Sequence, residues 1–282
     1  MIAESGLPVR KACSAFSISK PTYYRWKSQR NLPDPDKKLR RIMQQIASEF
    51  PKYGYRRMTK ELHRRELHAN HKKVLSIMRE ENLLVRKKRF KPVTTNSNHG
   101  LPKYPNLIKN LALTGMNQAW VSDITFIHLL HEFVYLAVIM DLFSRRCIGW
   151  ALSRNPDSEL TLCALNMAIK LRGEENVKGC IHHSDQGVQY AARDYVERLE
   201  EVGIQPSMGE KGNSYENAHA ESFIKTIKYE EVHMNEYETI EDVRRNINQF
   251  IEKVYNKKRL HSSIGYKPPM EFEKEVLNMS LT

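Results

Sequence analysis

Three apolar, β-branched runs follow one another with very short links: Trp120–Leu130, Phe133–Met140 and Arg146–Leu152. Gaps of two and five residues leave no room for a crossover, so these runs must pair as antiparallel hairpins. Helical and extended segments then alternate. Asp157–Leu171 has helical spacing, with Leu160, Cys163, Ala164, Met167 and Ala168 on one face, and Cys180–His183 is a short strand. Tyr190–Val202 is a second helix, Ile204–Met208 a strand, and Ala218–Glu230 a third helix. Alternation of this kind suits parallel crossovers. The expected fold is therefore α/β, with the element order βββαβαβα.

The chain before residue 117 has another texture. Val9, Ala12, Cys13 and Phe16 mark a short helix; Ser19 and Pro21 start a second one that carries Tyr23, Tyr24, Arg25, Trp26 and Lys27. Leu39, Ile42, Met43, Ile46 and Phe50 form an apolar stripe that the Pro51–Tyr55 segment interrupts. A helix pair, Thr59–Leu67 and His71–Leu84, follows, with Lys72, Lys73 and Arg79 on its polar side. Two small all-α helix-turn-helix modules are predicted, at 1–30 and 37–84. A connector at 85–116 opens with Arg86, Lys87, Lys88, Arg89 and Lys91. The α/β part spans 117–235, and a C-terminal helix and tail cover 236–282.

Charge divides along the same line. Residues 1–116 hold 26 basic and 8 acidic side chains, a net of +18; the remaining 19 basic and 25 acidic give −6, for a total of +12. The first part is built to meet a polyanion, and nucleic acid is the default. No run of about 18 apolar residues and no secretory leader occurs, so a membrane location is not expected. Four cysteines without a CxxC pair argue against a disulfide framework or a zinc ribbon, and the cytosol is the natural compartment.

Three carboxylates occupy telling places. Asp123 lies within Trp120–Ile127, on one strand face with Val121, Thr125 and Ile127; Trp120, Ile124 and Phe126 line the other. Apolar on both faces, this strand belongs in the middle of a sheet. Asp185 ends the Cys180–Ser184 run, where open α/β sheets place functional groups. Glu221 sits on the last helix beside the apolar stripe Ala220, Phe223, Ile224 and Ile227, in a row with Lys225 and Lys228. Each also has an ordinary reading: a hydrogen-bonded core Asp, a turn Asp before Gly187, and an i,i+4 ion pair.

Taken together, with 35 residues between Asp185 and Glu221, they resemble the Asp-Asp-(35)-Glu triad of DDE transposases and retroviral-type integrases. The local motifs extend the resemblance. Trp120–Thr125, His183–Tyr190 and Lys211–Ala218 followed by Glu221-Ser222-Phe223 are similar to bacterial insertion-sequence transposases, specifically the OrfB catalytic product of copy-out–paste-in elements. Tyr255-Asn256, Arg259, His261, Gly265-Tyr266 and Pro268-Pro269 resemble that group's C-terminal signature, and Tyr53-Gly54-Tyr55-Arg56-Arg57 its small helical module.

The resemblance implies an RNase H-like catalytic core in which Asp123, Asp185 and Glu221 bind two Mg²⁺ ions, with Mn²⁺ able to substitute. It implies cleavage at the element's ends and transfer of a 3′-OH end into double-stranded DNA. Lys228 matches a basic position of the family motif that meets DNA. Lys225, Arg25, Lys27, Arg56, Arg57, Lys72, Lys73 and the 86–91 cations are the further candidate DNA contacts. A homo-oligomer on DNA in the bacterial cytoplasm, associated with the nucleoid, is implied. So is a partnership with an upstream-frame helix-turn-helix and leucine-zipper product, because this chain has no sustained heptad of its own.

Overall fold

The computed structural model describes residues 8–30, 34–85, 102–210 and 217–279. Its centre is a five-stranded mixed sheet. Strands β1 (Ala119–His128), β2 (Phe133–Asp141) and β3 (Cys147–Ser153) form the antiparallel meander that the short links require. After helix α6 (Ser158–Arg172), strand β4 (Ile181–Ser184) returns parallel to β1. Helix α7 (Arg193–Glu201) leads to β5 (Gln205–Met208), parallel to β4. The sheet order is β3-β2-β1-β4-β5, so β1 is central as its two apolar faces require. Helix α8 (Ala218–Glu230) follows with the boundaries read from sequence.

Alternation along the strands splits the core in two. Trp120, Ala137, Ile139 and Ile148 meet α6 and α7 on one face. Val121, Ile127, Leu136, Val138 and Met140 meet α8, helix α9 (Ile240–Gln249) and the π-helical segment Phe250–Tyr255 on the other. Packing of α6 on β3 is tight enough to dictate Gly149. A Cβ there would lie 2.2 Å from the Ala164 carbonyl oxygen, which is backbone and cannot swing aside. Gly149→Ala should therefore cost about 1–3 kcal/mol, read as a lower urea midpoint at unchanged m-value.

Helices α1 (Val9–Ala15) and α2 (Lys20–Arg30) form the expected short pair, with the Ser19 hydroxyl accepting the Thr22 N–H. Helices α3 (Lys37–Glu49), α4 (Tyr55–Arg64) and α5 (His71–Glu80) enclose a core of Met43, Ile46, Phe50, Met58, Leu62, Val74, Ile77 and Met78. One boundary departs from the sequence reading. Tyr55 opens α4, four residues before the expected start, because Gly54 supplies an extended residue from which the helix begins.

Two segments are more engaged with the core than the sequence reading allowed. Residues 102–116, read as connector, lie against the α/β unit: Tyr104, Ile108 and Leu113 pack on it, and the Leu107 N–H donates to the Ser207 hydroxyl at 2.9 Å. The C-terminal part is no simple tail. Its helix α10 (Pro269–Met279) places Glu273, 4% exposed, among Ser144, Arg146 and Arg172. Leu260 and Tyr266, between the π-helical segment and α10, complete the core of the α3–α5 unit.

Candidate active site

Parallel pairing aligns Val121 of β1 with His183 of β4. The ladder stops there: Asp123 lies two residues past the last paired residue of β1 and Asp185 directly follows β4, at the same end of the sheet. Helix α8 packs on the Asp123 face of the sheet through Ala220, Phe223, Ile224 and Ile227, and so carries Glu221 to the same end. The consequence is electrostatic. Burial, the Asp185 charge and, more weakly, the Glu221 charge push the Asp123 carboxyl up to about 7, against the Ile124 N–H and Lys228, which favour its ionised form. The Ile124 N–H donates to it at 2.8 Å.

Each carboxylate has a local reason for its place. Asp185 Oδ1 accepts the Gly187 N–H at 3.0 Å. A side chain at 187 would bring its Cβ 3.0 Å from that oxygen, so the Asp185 carboxylate would have to shift slightly to admit one. Glu221 is partly exposed and receives Lys225 Nζ at 2.9 Å, which realises the ordinary i,i+4 reading of that pair. Lys228 is half-buried, with Nζ 4.3 Å from the Phe126 ring centroid. Burial lowers its pKa while Asp123 holds it up.

The structure thus brings Asp123, Asp185, Glu221, Lys225 and Lys228 to one end of the sheet. The other expected contacts lie elsewhere. Arg25 and Lys27 are exposed on α2, and Lys72 is exposed at the start of α5. Lys73 is exposed on α5 and forms an ion pair with Asp36. Arg56 is exposed on the first turn of α4; Arg57 turns inward and donates through Nε to the Leu260 carbonyl at 3.0 Å. Arg86, Lys87, Lys88, Arg89 and Lys91 lie outside the described residues. Other polar groups of the core are tied up locally: Asp141 accepts the Phe143 and Ser144 N–H groups in the β2–β3 turn. His182 and His183 are buried on Tyr195 and Ser207, in structural roles.

Several supports were not legible beforehand. Asn217 donates from its side chain to the Ser122 carbonyl at 3.0 Å, which pins the start of α8 to β1 next to Asp123. At the far end of α8, Arg259 makes two 2.7 Å bonds to Glu230. Asn256 pairs with both the N–H and the C=O of Cys147, each at 3.0 Å, and so closes the start of edge strand β3. The available signal was the C-terminal motif itself, which contains Asn256 and Arg259.

Models of the "Integrase core domain" match residues 114–214 and 202–269, and a model of an "HTH-like domain" matches residues 33–91. The chain is 35% identical over 273 residues to the uncharacterized 31 kDa protein of insertion element IS600 from Shigella sonnei, covering 95% of this chain and 99% of that one. It is 32% identical over 276 residues to transposase InsF of insertion sequence IS3A from Escherichia coli, covering 95% of each. The chain belongs to the insertion-sequence transposases with an integrase core. This transposase is accordingly a polynucleotidyl transferase of the DDE type, and its core has the RNase H-like arrangement. Among solved structures, the HTLV-2 integrase catalytic core domain in complex with magnesium matches with a TM-score of 0.42 at 16% identity, over 56% of this chain and 96% of that one. No helix among the described residues is long and apolar enough to cross a membrane.

For Lys228 the geometry leads to a split expectation. Its cation sits on the Phe126 ring near the carboxylates and forms no ion pair with another described residue. Lys228→Ala should lower DNA-end cleavage by about tenfold or more, while shifting the thermal midpoint by only about 2 °C. A larger stability loss than activity loss would identify Lys228 as a structural cation.

Proposed function

We propose that Asp123, Asp185 and Glu221 are the catalytic carboxylates and hold two Mg²⁺ ions, for which Mn²⁺ can substitute. The observation that carries this reading is that Asp123 and Asp185 lie at the same end of the β1–β4 pair, where α8 brings Glu221, and that Asp123 feels the charge of both. The donor set fits a hard divalent cation, since all three groups offer oxygen. The buried Asp123 also fits, because a cation nearby would offset both the burial and the neighbouring Asp185 charge that disfavour its ionised form. Among the described residues no three acidic, imidazole or thiol groups, these carboxylates included, stand close enough to hold a metal ion as they are, so ions would have to draw the three together. Glu221 is meanwhile neutralised by Lys225. An open, partly solvated set of this kind suits ions that retain water and share their coordination with phosphate.

When bound, the ions would activate an oxygen nucleophile and stabilise the leaving oxygen of a phosphodiester. The chain's own residues supply the frame. The Gly187 N–H orients Asp185, the Ile124 N–H orients Asp123, and Asn217 and Arg259 fix the two ends of α8 so that Glu221 keeps its distance from β1. At an element end, a water oxygen attacks phosphorus, the 3′-oxygen departs, and the water's proton passes to solvent. The freed 3′-OH then attacks a phosphodiester of the receiving DNA, whose own 3′-oxygen leaves. Lys228, half-buried at the edge of this site, contacts a phosphate and positions the strand.

The helical units supply DNA binding in this reading, through Arg25, Lys27, Arg56, Lys72 and the 86–91 cations, in keeping with the +18 charge of residues 1–116. The units are divided as 1–30, 37–84, 85–116, 117–235 and 236–282. Two ends of one element must be handled together, which calls for a homo-oligomer on double-stranded DNA, joined by the upstream-frame product, at the bacterial nucleoid. The test is joining of a labelled duplex end with a free 3′-OH to a plasmid. Joined product is expected with Mg²⁺ or Mn²⁺ and none with EDTA; metal-independent joining, or binding without joining, would refute the catalytic reading.

A further inference from the structure

A cavity of about 390 Å³ opens between the helical unit and the C-terminal segment, lined by Gly54, Tyr55, Arg56, Arg57, Ser262 and Tyr266. It lies outside the carboxylate site and draws on both sides of the contact that Leu260 makes with the α3–α5 core. Its chemistry is one-sided. Two arginines, a serine and two tyrosines line it, and no acidic residue does. Arg57 uses only Nε, on the Leu260 carbonyl; its terminal nitrogens make no hydrogen bond to another described residue. Arg56 is exposed over the Tyr55 ring, 5.6 Å from its centroid, and Lys60 lies 5.6 Å from the centroid of Tyr266.

We infer that this cavity grips one nucleotide unit of DNA, with the phosphate on Arg56, Arg57 and Ser262 and the sugar or base against Tyr55 or Tyr266. The inference rests on the reading of this chain as a DNA-binding enzyme and assigns a contact point to it. Guanidinium groups are suited to phosphate because their planar donors match its oxygens. Aromatic faces beside them accept a base or sugar of any sequence. The surrounding field has the right sign: burial and the charges of Arg259, Arg57 and Arg145 hold the adjacent His261 well below its ordinary pKa. Arg259 is paired with Glu230, but neither Arg56 nor Arg57 forms an ion pair with another described residue, and an anion entering the cavity meets those two. The contact is also shared between two parts of the chain, so a nucleotide held there spans the helical unit and the core's C-terminal segment at once.

The test uses the full chain and a fluorescein-labelled duplex of arbitrary sequence, with anisotropy measured across a salt series. Arg56→Ala and Ser262→Asp are the variants. Neither side chain hydrogen-bonds another described residue, so unchanged thermal midpoints are expected and serve as the folding control. Ser262→Asp, which adds a negative charge to the cavity, should weaken binding by at least about tenfold. Arg56→Ala should reduce the slope of log affinity against log salt by about one unit. At constant ionic strength, thymidine 5′-monophosphate should displace the duplex from the wild type more effectively than inorganic phosphate does, and neither should act on Ser262→Asp. Unchanged affinity and slope in both variants would overturn the inference. Loss of nucleotide competition with duplex affinity intact would overturn DNA as the source, in favour of a free nucleotide. Equal competition by phosphate and nucleotide would overturn the role of the tyrosines. If these differences appear but the wild type joins no DNA ends, the catalytic proposal falls and this inference stands.

Discussion

Asp123→Asn, Asp185→Asn and Glu221→Gln are each expected to abolish end joining, with losses of about a thousandfold or more, while DNA binding by the helical units persists. Asp123→Asn should differ from the other two in stability. The folded-state carboxyl titrates at about 7, above its unfolded value of about 3.9. A raised acid pKa means that the folded state holds the proton more tightly. Its contribution is present at low pH and is lost as pH rises from about 4 through about 7. Without divalent metal, the wild type should therefore lose stability relative to Asp123→Asn across that window, and the variant should be the more stable at pH 8. Urea midpoints measured at pH 5 and pH 8 in EDTA check this. A wild type that gains on the variant as pH rises would mean that Asp123 is paired rather than crowded by like charge. Near-normal joining by any of the three variants would remove that residue from the triad.

Glu273→Ala should produce the largest loss of stability, about 3–5 kcal/mol. Glu273 is nearly fully buried and is the common acceptor for Ser144, Arg146 and Arg172; the Ser144 and Arg146 bonds are 2.7 and 2.6 Å. Burial alone would raise its pKa, but the hydrogen bond and charge of Arg172, with Ser144 and Arg146, hold it below the ordinary carboxylate value. Removing the carboxylate strands two buried guanidinium groups, and Asp141, 3.5 Å from Arg172, compensates only one of them. Glu273→Gln retains hydrogen-bonding capacity without the charge, and should fall between wild type and Glu273→Ala in denaturant titration. A loss below about 1 kcal/mol for Glu273→Ala would show that water enters and solvates the arginines.

Local pattern carried much of this molecule. Apolar alternation around Asp123 predicted a central strand, and β1 is central. The short links predicted the antiparallel meander, and the apolar stripe of α8 predicted its limits, Ala218 and Glu230. What stayed hidden were the contacts between residues far apart in the chain. Asn217 to Ser122, Asn256 to Cys147 and Glu273 to Arg172 leave no periodic trace, because each is one polar side chain meeting one distant group. The start of α4 was missed for a local reason. Pro51 to Gly54 reads as a breaker, yet Gly54 is also the residue after which a helix can begin. The Lys73–Asp36 pair was likewise hidden, because Asp36 belongs to a different segment. For the candidate site, sequence supplied the three acids; only the β1–β4 register and the seat of α8 bring them to one end.

The seat of the α3–α5 unit has a consequence for building new enzymes from old ones. Tyr53 accepts the Leu260 N–H, Arg57 donates to the Leu260 carbonyl, and Arg64 forms a two-pronged pair with Glu271. A helical unit borrowed from a relative would therefore arrive without its matching socket, which is encoded about two hundred residues later. Chimeras meant to redirect such an enzyme to another element's termini should exchange residues 34–85 and 254–271 as one graft, since a graft of the first stretch alone would break a surface made from two distant stretches of the chain.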